Sequence, residues 1–178
     1  MSAPDRAPRP HLILVGLPGA GKSTVGRALA QRLGAPFLDF DEEIERREGK
    51  SIARIFAEHG EPHFRRLERT LTEELRSAAG MVLSPGGGWI TNPDVVALVR
   101  PPARIIYLRV GVETALRRLG SARATRPLLQ RPDPLAELRG LYERRRALYE
   151  AADLSLDTEA YSFQQLIQTL AELAPISG

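Results

Sequence analysis

Cysteine is absent from the 178 residues. That absence excludes disulfides, thiol nucleophiles and cysteine-based zinc sites. Histidine is scarce. His11, His59 and His63 show no metalloprotease-like spacing, and Gly60 and Pro62 separate the last two. They read as surface or packing residues rather than as a metal site. No apolar run approaches the ~20 residues that span a bilayer. The opening "MSAPDRAPRP" has three prolines and no apolar segment of the signal-peptide kind. It reads as a short disordered tail over residues 1–10, with the cytoplasm as the expected location. Charge of one sign is lacking too. There are 25 basic and 22 acidic residues, and the arginines are scattered among acids without a long single-sign run. No nucleic-acid partner is expected. Arginine does suit carboxylate and phosphate groups, so small anions fit as ligands.

The content that remains is that of one globular domain over 11–178, with 43% hydrophobic and 26% charged residues. Short apolar runs at His11–Val15, Pro36–Phe40, 81–84, 104–110 and 154–158 read as strands. Helical patterns fall between them, at Ser23–Leu33, 41–48, 51–58, 61–79, 112–119, 134–151 and 162–173. A further helix has Asn92 as its cap and Pro93 at its first position, ending near Arg100. Alternating strands and helices imply an α/β fold with a parallel sheet covered on both faces. The fifteen residues "GSARATRPLLQRPDP" (120–134) are polar and rich in Pro and Arg. Loops of that length are usually functional or disordered, so this one is a candidate lid.

The strongest motif is "GLPGAGKST" (16–24), which fits G-x-x-x-x-G-K-[ST] between a strand and a helix. Glycines let backbone N–H groups face phosphates, and the helix N-terminus adds positive potential. Gly19, Ala20, Gly21, Lys22, Ser23 and Thr24 are therefore expected to bind a nucleotide. Lys22 would reach the β- and γ-phosphates of ATP, and Ser23 would ligate Mg2+. No N-K-x-D base-reading motif of a GTPase is present. A compact chain of this kind with a mobile Arg-bearing segment suggests a small-molecule kinase.

In "LDFD" (38–41), Asp39 and Asp41 lie two apart at the end of a strand, where α/β sheets place ligands. One carboxylate could orient water on Mg2+ while the other accepts a substrate hydroxyl. Alternatively, Asp41 could simply cap the helix that follows. Arg65 and Arg66 are adjacent on a helix and so about 100° apart. One of them can face a site, and Arg66 reads as a solvated charge. Glu68, three residues after Arg65, can pair with it. Tyr149, four residues after Arg145, reads as packing.

These motifs, with "FRRLE" (64–68), "GGG" (86–88), "TRPLL" (125–129) and "RRRALY" (144–149), occur in one order that resembles the shikimate kinases from Leu12 to Leu173. The resemblance implies a three-layer α/β/α P-loop fold with a five-stranded parallel sheet in the order 2-3-1-4-5. It also implies substrate-binding helices at about 41–70 and a mobile lid at about 120–134. By the same resemblance, Asp41, Arg65, Gly87, Gly88 and Arg145 would bind shikimate, with Lys22, Asp41 and Arg126 catalytic. Arg118 and Arg126 would contact the nucleotide, and Asp39 would hold Mg2+ through water. The implied reaction is phosphorylation of the shikimate 3-hydroxyl by ATP. A monomer is expected, because a small P-loop kinase closes its own lid over its own site.

Three features depart from the family pattern. Trp89 stands where a small residue is usual, and it could pack in the core or wall the substrate pocket. Glu159–Phe163 lacks the polar, proline-containing adenine loop. The loop from Arg118 to Arg126 is slightly lengthened. A gluconate kinase would share the P-loop and acidic pair but not "GGG" with "RPLL". A non-catalytic ligand sensor would need a DNA-binding segment, for which ten residues are too few.

Overall fold

The four residues Leu12–Val15 are all buried and form β1, the central strand of a five-stranded parallel sheet. The sheet order is β2-β3-β1-β4-β5, with β2 at Phe37–Asp39, β3 at Val82–Ser84, β4 at Arg104–Arg109 and β5 at Leu154–Asp157. This is the expected 2-3-1-4-5 order. The coordinates are a computed structural model that describes residues 9–120 and 131–174. Apolar runs of four to six residues suit strands covered on both faces, which is why β1 and the interior of β4 show no polar alternation.

The helices are α1 (Lys22–Leu33), α2 (Phe40–Glu48), α3 (Ile52–His59), α4 (Glu61–Leu75), α5 (Pro93–Val96), α6 (Val112–Leu119), α7 (Pro134–Glu150) and α8 (Phe163–Leu173). Together with the sheet they make a three-layer α/β/α P-loop fold, in which α1 packs on α8 and α6 on α7. Among the described residues, no helix is long and apolar enough to cross a membrane.

Several boundaries differ from the sequence reading. Phe40, expected to end a strand, opens α2 instead, because Asp39 already serves as the N-cap and accepts from the Glu42 N–H. Asn92 makes no side-chain cap; its amide donates to the Gly88 carbonyl at 3.3 Å. The helix after it is a single turn followed by further turns rather than a continuous helix to Arg100. Helix α4 ends at Leu75, four residues short of the expected limit. The tail expected over 1–10 has only Arg9 and Pro10 among the described residues, and the Arg9 carbonyl accepts from the Gly80 N–H at 2.8 Å. The central part of the expected lid, 121–130, lies outside the described residues.

His11 is buried where α4 meets the start of β1. Its Nδ1 accepts from the Met81 N–H at 3.2 Å, which leaves Nε2 protonated to donate to the Leu75 carbonyl at 2.9 Å. One ring thus satisfies two backbone groups, one buried and one part-buried. His11→Ala should lower unfolding free energy by about 2–3 kcal/mol, because both partners are orphaned. Urea denaturation checks this, and a loss below about 0.5 kcal/mol would contradict it.

Candidate active site

The C-terminal ends of β1, β2 and β3 lead into one region. The P-loop follows β1, Asp39 ends β2, and Gly86–Gly88 follows β3. Gly19 is held at φ +85°, and a Cβ there would sit 2.3 Å from the Ala115 carbonyl oxygen, so the loop can pack against α6 only as glycine. Helix α1 begins with no side-chain cap on its first N–H groups and no acid in its first turn. That leaves positive potential at its N-terminus. The Lys22 ammonium donates to the carbonyls of Gly16 (2.8 Å) and Leu17 (3.0 Å), holding it against the loop. The Ser23 hydroxyl donates to Asp39, while the other Asp39 oxygen takes the Glu42 N–H. Asp39 therefore joins the P-loop helix to α2, and Asp39 rather than Asp41 is the cap.

The three glycines each face a different charged partner. A Cβ on Gly86 would lie 3.1 Å from Glu68 Oε2 and 3.2 Å from Asp41 Oδ1. On Gly87 it would lie 3.0 Å from Arg145 Nη1 and 3.8 Å from Pro18 of the P-loop. On Gly88 it would lie 2.1 Å from Arg65 Nη2. Side chains from α2, α4 and α7 thus converge on one turn, and that turn borders the phosphate loop.

Arg65 is oriented by two carboxylates, with Nη1 donating to Glu68 at 2.5 Å and Nη2 to Glu61 at 3.0 Å. Burial works against the Arg65 charge, but Glu68 and Glu61 outweigh it and the pKa is raised. Arg66 is exposed, as expected. Arg145 is buried. Tyr149 is fully buried and stacks on Tyr107 with ring centroids 5.0 Å apart, so it packs as expected. Its hydroxyl also points at the Gly87 carbonyl at 3.5 Å, and burial raises its pKa.

Glu68 carries more weight than its sequence position suggested. It is 1% exposed, and its Oε2 has no hydrogen-bond partner. Burial pushes its carboxyl from 4.5 up to about 7, against the pull of Arg65, with Asp41 nearby adding to the rise and Arg145 opposing it. This makes a buried acid that is part-protonated near neutrality.

On the other side of the P-loop lies a cavity of about 380 Å3. It is lined by Gly19, Gly21 and Thr24 and by Arg118, Thr158, Tyr161 and Phe163. Arg118 donates to the Thr158 hydroxyl at 3.2 Å. Tyr161 and Phe163 fall within the segment whose sequence lacks a proline-containing loop, and sequence reasoning did not assign them. Glu159 ties that segment to α6 by accepting from the Gly111 N–H (2.9 Å) and the Thr114 hydroxyl (2.5 Å). Arg126 lies outside the described residues.

A Glu68 pKa of about 7 against 4.5 in the unfolded chain means that folding takes up a proton between those values. This contribution favours the fold below 4.5 and is lost as pH rises through 7. Glu68→Gln should therefore gain stability relative to wild type between about pH 5 and pH 8. Thermal denaturation across that range checks it, and a constant difference would contradict the assignment.

The comparisons with known proteins agree with this fold. Residues 18–174 match the family model described as shikimate kinase. The shikimate kinase of Thioalkalivibrio sulfidiphilus is 44% identical over 90% of this chain and 85% of its own. That of Thermobifida fusca is 42% identical over 96% and 98%. The structure of the Acinetobacter baumannii shikimate kinase in complex with shikimate superposes with a TM-score of 0.86 at 41% identity, covering 92% of each chain. This chain belongs to the shikimate kinase family.

Proposed function

We propose that this chain transfers the γ-phosphoryl group of ATP to the 3-hydroxyl of shikimate, giving shikimate 3-phosphate and ADP for aromatic biosynthesis. The observation that carries the reading is the position of Gly87, where Arg145 and Pro18 of the P-loop both border the space that a Cβ would fill. An acceptor held at the turn would lie next to the nucleotide's phosphates. Shikimate presents one carboxylate and three hydroxyls. Arg65 and Arg145 would take the carboxylate with charge-assisted hydrogen bonds, and Asp41 would accept from a ring hydroxyl. The backbone of Gly87 and Gly88, bare of side chains, would lie against the ring.

Phosphoryl transfer mostly requires alignment and neutralisation of charge on the moving group. Lys22 would stabilise charge on the phosphates, and Asp41 would orient the attacking hydroxyl and receive its proton. Arg126 is assigned by the match of "TRPLL" to the family motif, as a contact to the transferred group. The P-loop backbone from Gly19 to Thr24 would cradle the phosphates, and Arg118 would lie against the adenine in the cavity described above.

A hydroxyl and a carboxylate, those of Ser23 and Asp39, are the oxygen donors a hard cation takes. Among the described residues, no cluster of three or more His, Asp or Glu has metal-binding geometry. Mg2+ suits such a site, since it usually keeps waters and substrate phosphates as its other ligands. Ser23 would hold it directly and Asp39 through water. Bound there, it would neutralise charge on the β- and γ-phosphates. We read the protein as a cytoplasmic monomer.

ADP release should require shikimate together with ATP and Mg2+, with gluconate giving no more than the acceptor-free rate. Asp41→Asn should lower kcat by about 100-fold or more. Arg65→Ala should instead raise the KM for shikimate by at least about tenfold. Equal turnover with and without shikimate would contradict the proposal.

A further inference from the structure

Arg65, Glu68 and Thr72 stand at i, i+3 and i+7 along α4, a spacing that puts them on one stripe of the helix. Arg65 and Glu68 form the ion pair beside the glycine turn. Thr72 is fully buried, and its hydroxyl donates to the Glu68 carbonyl at 2.7 Å. The same oxygen accepts from the indole N–H of Trp89 at 3.1 Å. Trp89 is the only tryptophan in the chain and directly follows the triple glycine. It is 1% exposed. Its backbone N–H donates to the Gly86 carbonyl at 3.0 Å, and its ring meets Phe40 edge-on with centroids 6.4 Å apart. Phe40 is the residue before Asp41. One residue therefore touches the segments that present Asp41, the glycines and Arg65, the glycines through its backbone and the other two through its side chain.

Resting on the assignment of this turn as the acceptor pocket, we propose that Trp89 is a positioning residue for shikimate, acting through its hydrogen bond to Thr72. Apolar contacts hold α4 against the core, but they resist rotation of a helix about its own axis weakly, since they are not directional. A hydrogen bond on the Arg65 stripe is directional and sets that rotation. The guanidinium lies roughly 7 Å from the helix axis, so a turn of about 10° moves it by roughly 1 Å. A displacement of that size matters to a bidentate contact with a carboxylate. Trp89 thus packs in the core, and through Thr72 it fixes the angle at which Arg65 meets the turn.

Steady-state kinetics on Thr72→Val, Thr72→Ser, Trp89→Phe and the Thr72→Val/Trp89→Phe double variant test this, with ATP and shikimate each varied and thermal stability measured in parallel. Thr72→Val and Trp89→Phe should each raise the KM for shikimate roughly 5- to 10-fold. The KM for ATP and kcat should stay within about twofold. Thr72→Ser keeps the hydroxyl and should behave as wild type. The double variant should be no worse than Trp89→Phe alone, since both remove one interaction. A wild-type KM for shikimate in Thr72→Val would overturn the inference. So would a parallel loss for both substrates that follows thermal stability. Wild-type protein with no shikimate-dependent turnover would overturn the underlying reading as well, and that arm is read first.

Discussion

The site depends on a turn without side chains. At Gly86, Gly87 and Gly88 the volume that Cβ atoms would occupy is bounded by Glu68 and Asp41, by Arg145, and by Arg65 in turn. Three helices can bring charged groups to one place only because the chain there offers nothing but backbone. The crowding is tightest at Gly88, where a Cβ would overlap the Arg65 guanidinium. The P-loop meets the same constraint from the other side, through Gly19 against α6 and Pro18 against Gly87. Close approach of backbone to backbone, and of backbone to charge, sets the distance between the glycine turn and the P-loop.

Concentrating charge in this way carries an electrostatic cost. Glu68 is almost fully removed from water, and one of its oxygens has no hydrogen-bond partner. The ion pair with Arg65 offsets part of that cost, and the raised pKa shows that it does not offset all of it. A buried carboxylate paired with a single arginine is poor stability design. What it does is fix the arginine fork in one orientation beside the glycine turn. Asp39 plays a similar part at the P-loop, joining the Ser23 hydroxyl to the start of α2.

Much of this was legible in the sequence. Buried parallel strands declare themselves as short unbroken apolar runs, and the P-loop is a contiguous pattern with a local mechanism. The order of the strands and the family followed from motifs spaced along the whole chain. What stayed open were questions that depend on exact register or on distant partners. Asp41 was the residue read as a possible cap, but α2 begins at Phe40 and Asp39 takes that place. The burial of Glu68 arises from α2, α4, α7 and the glycine turn meeting, which no window of sequence contains. Trp89 read as core or pocket wall, because its partner Thr72 lies 17 residues away on another element. Tyr161 and Phe163 line the cavity beside the P-loop where the chain enters α8, a helix that packs on the distant α1.

The central claim is that the bare glycine turn makes the acceptor pocket and leaves the nucleotide site alone. Gly88→Ala tests it most directly, with kcat/KM for shikimate and the affinity for a non-hydrolysable ATP analogue measured on the same protein. The account predicts a fall in kcat/KM of about 100-fold or more with analogue affinity unchanged, because the new methyl group displaces the Arg65 guanidinium. Wild-type kcat/KM, or an equal loss of analogue binding, would contradict it.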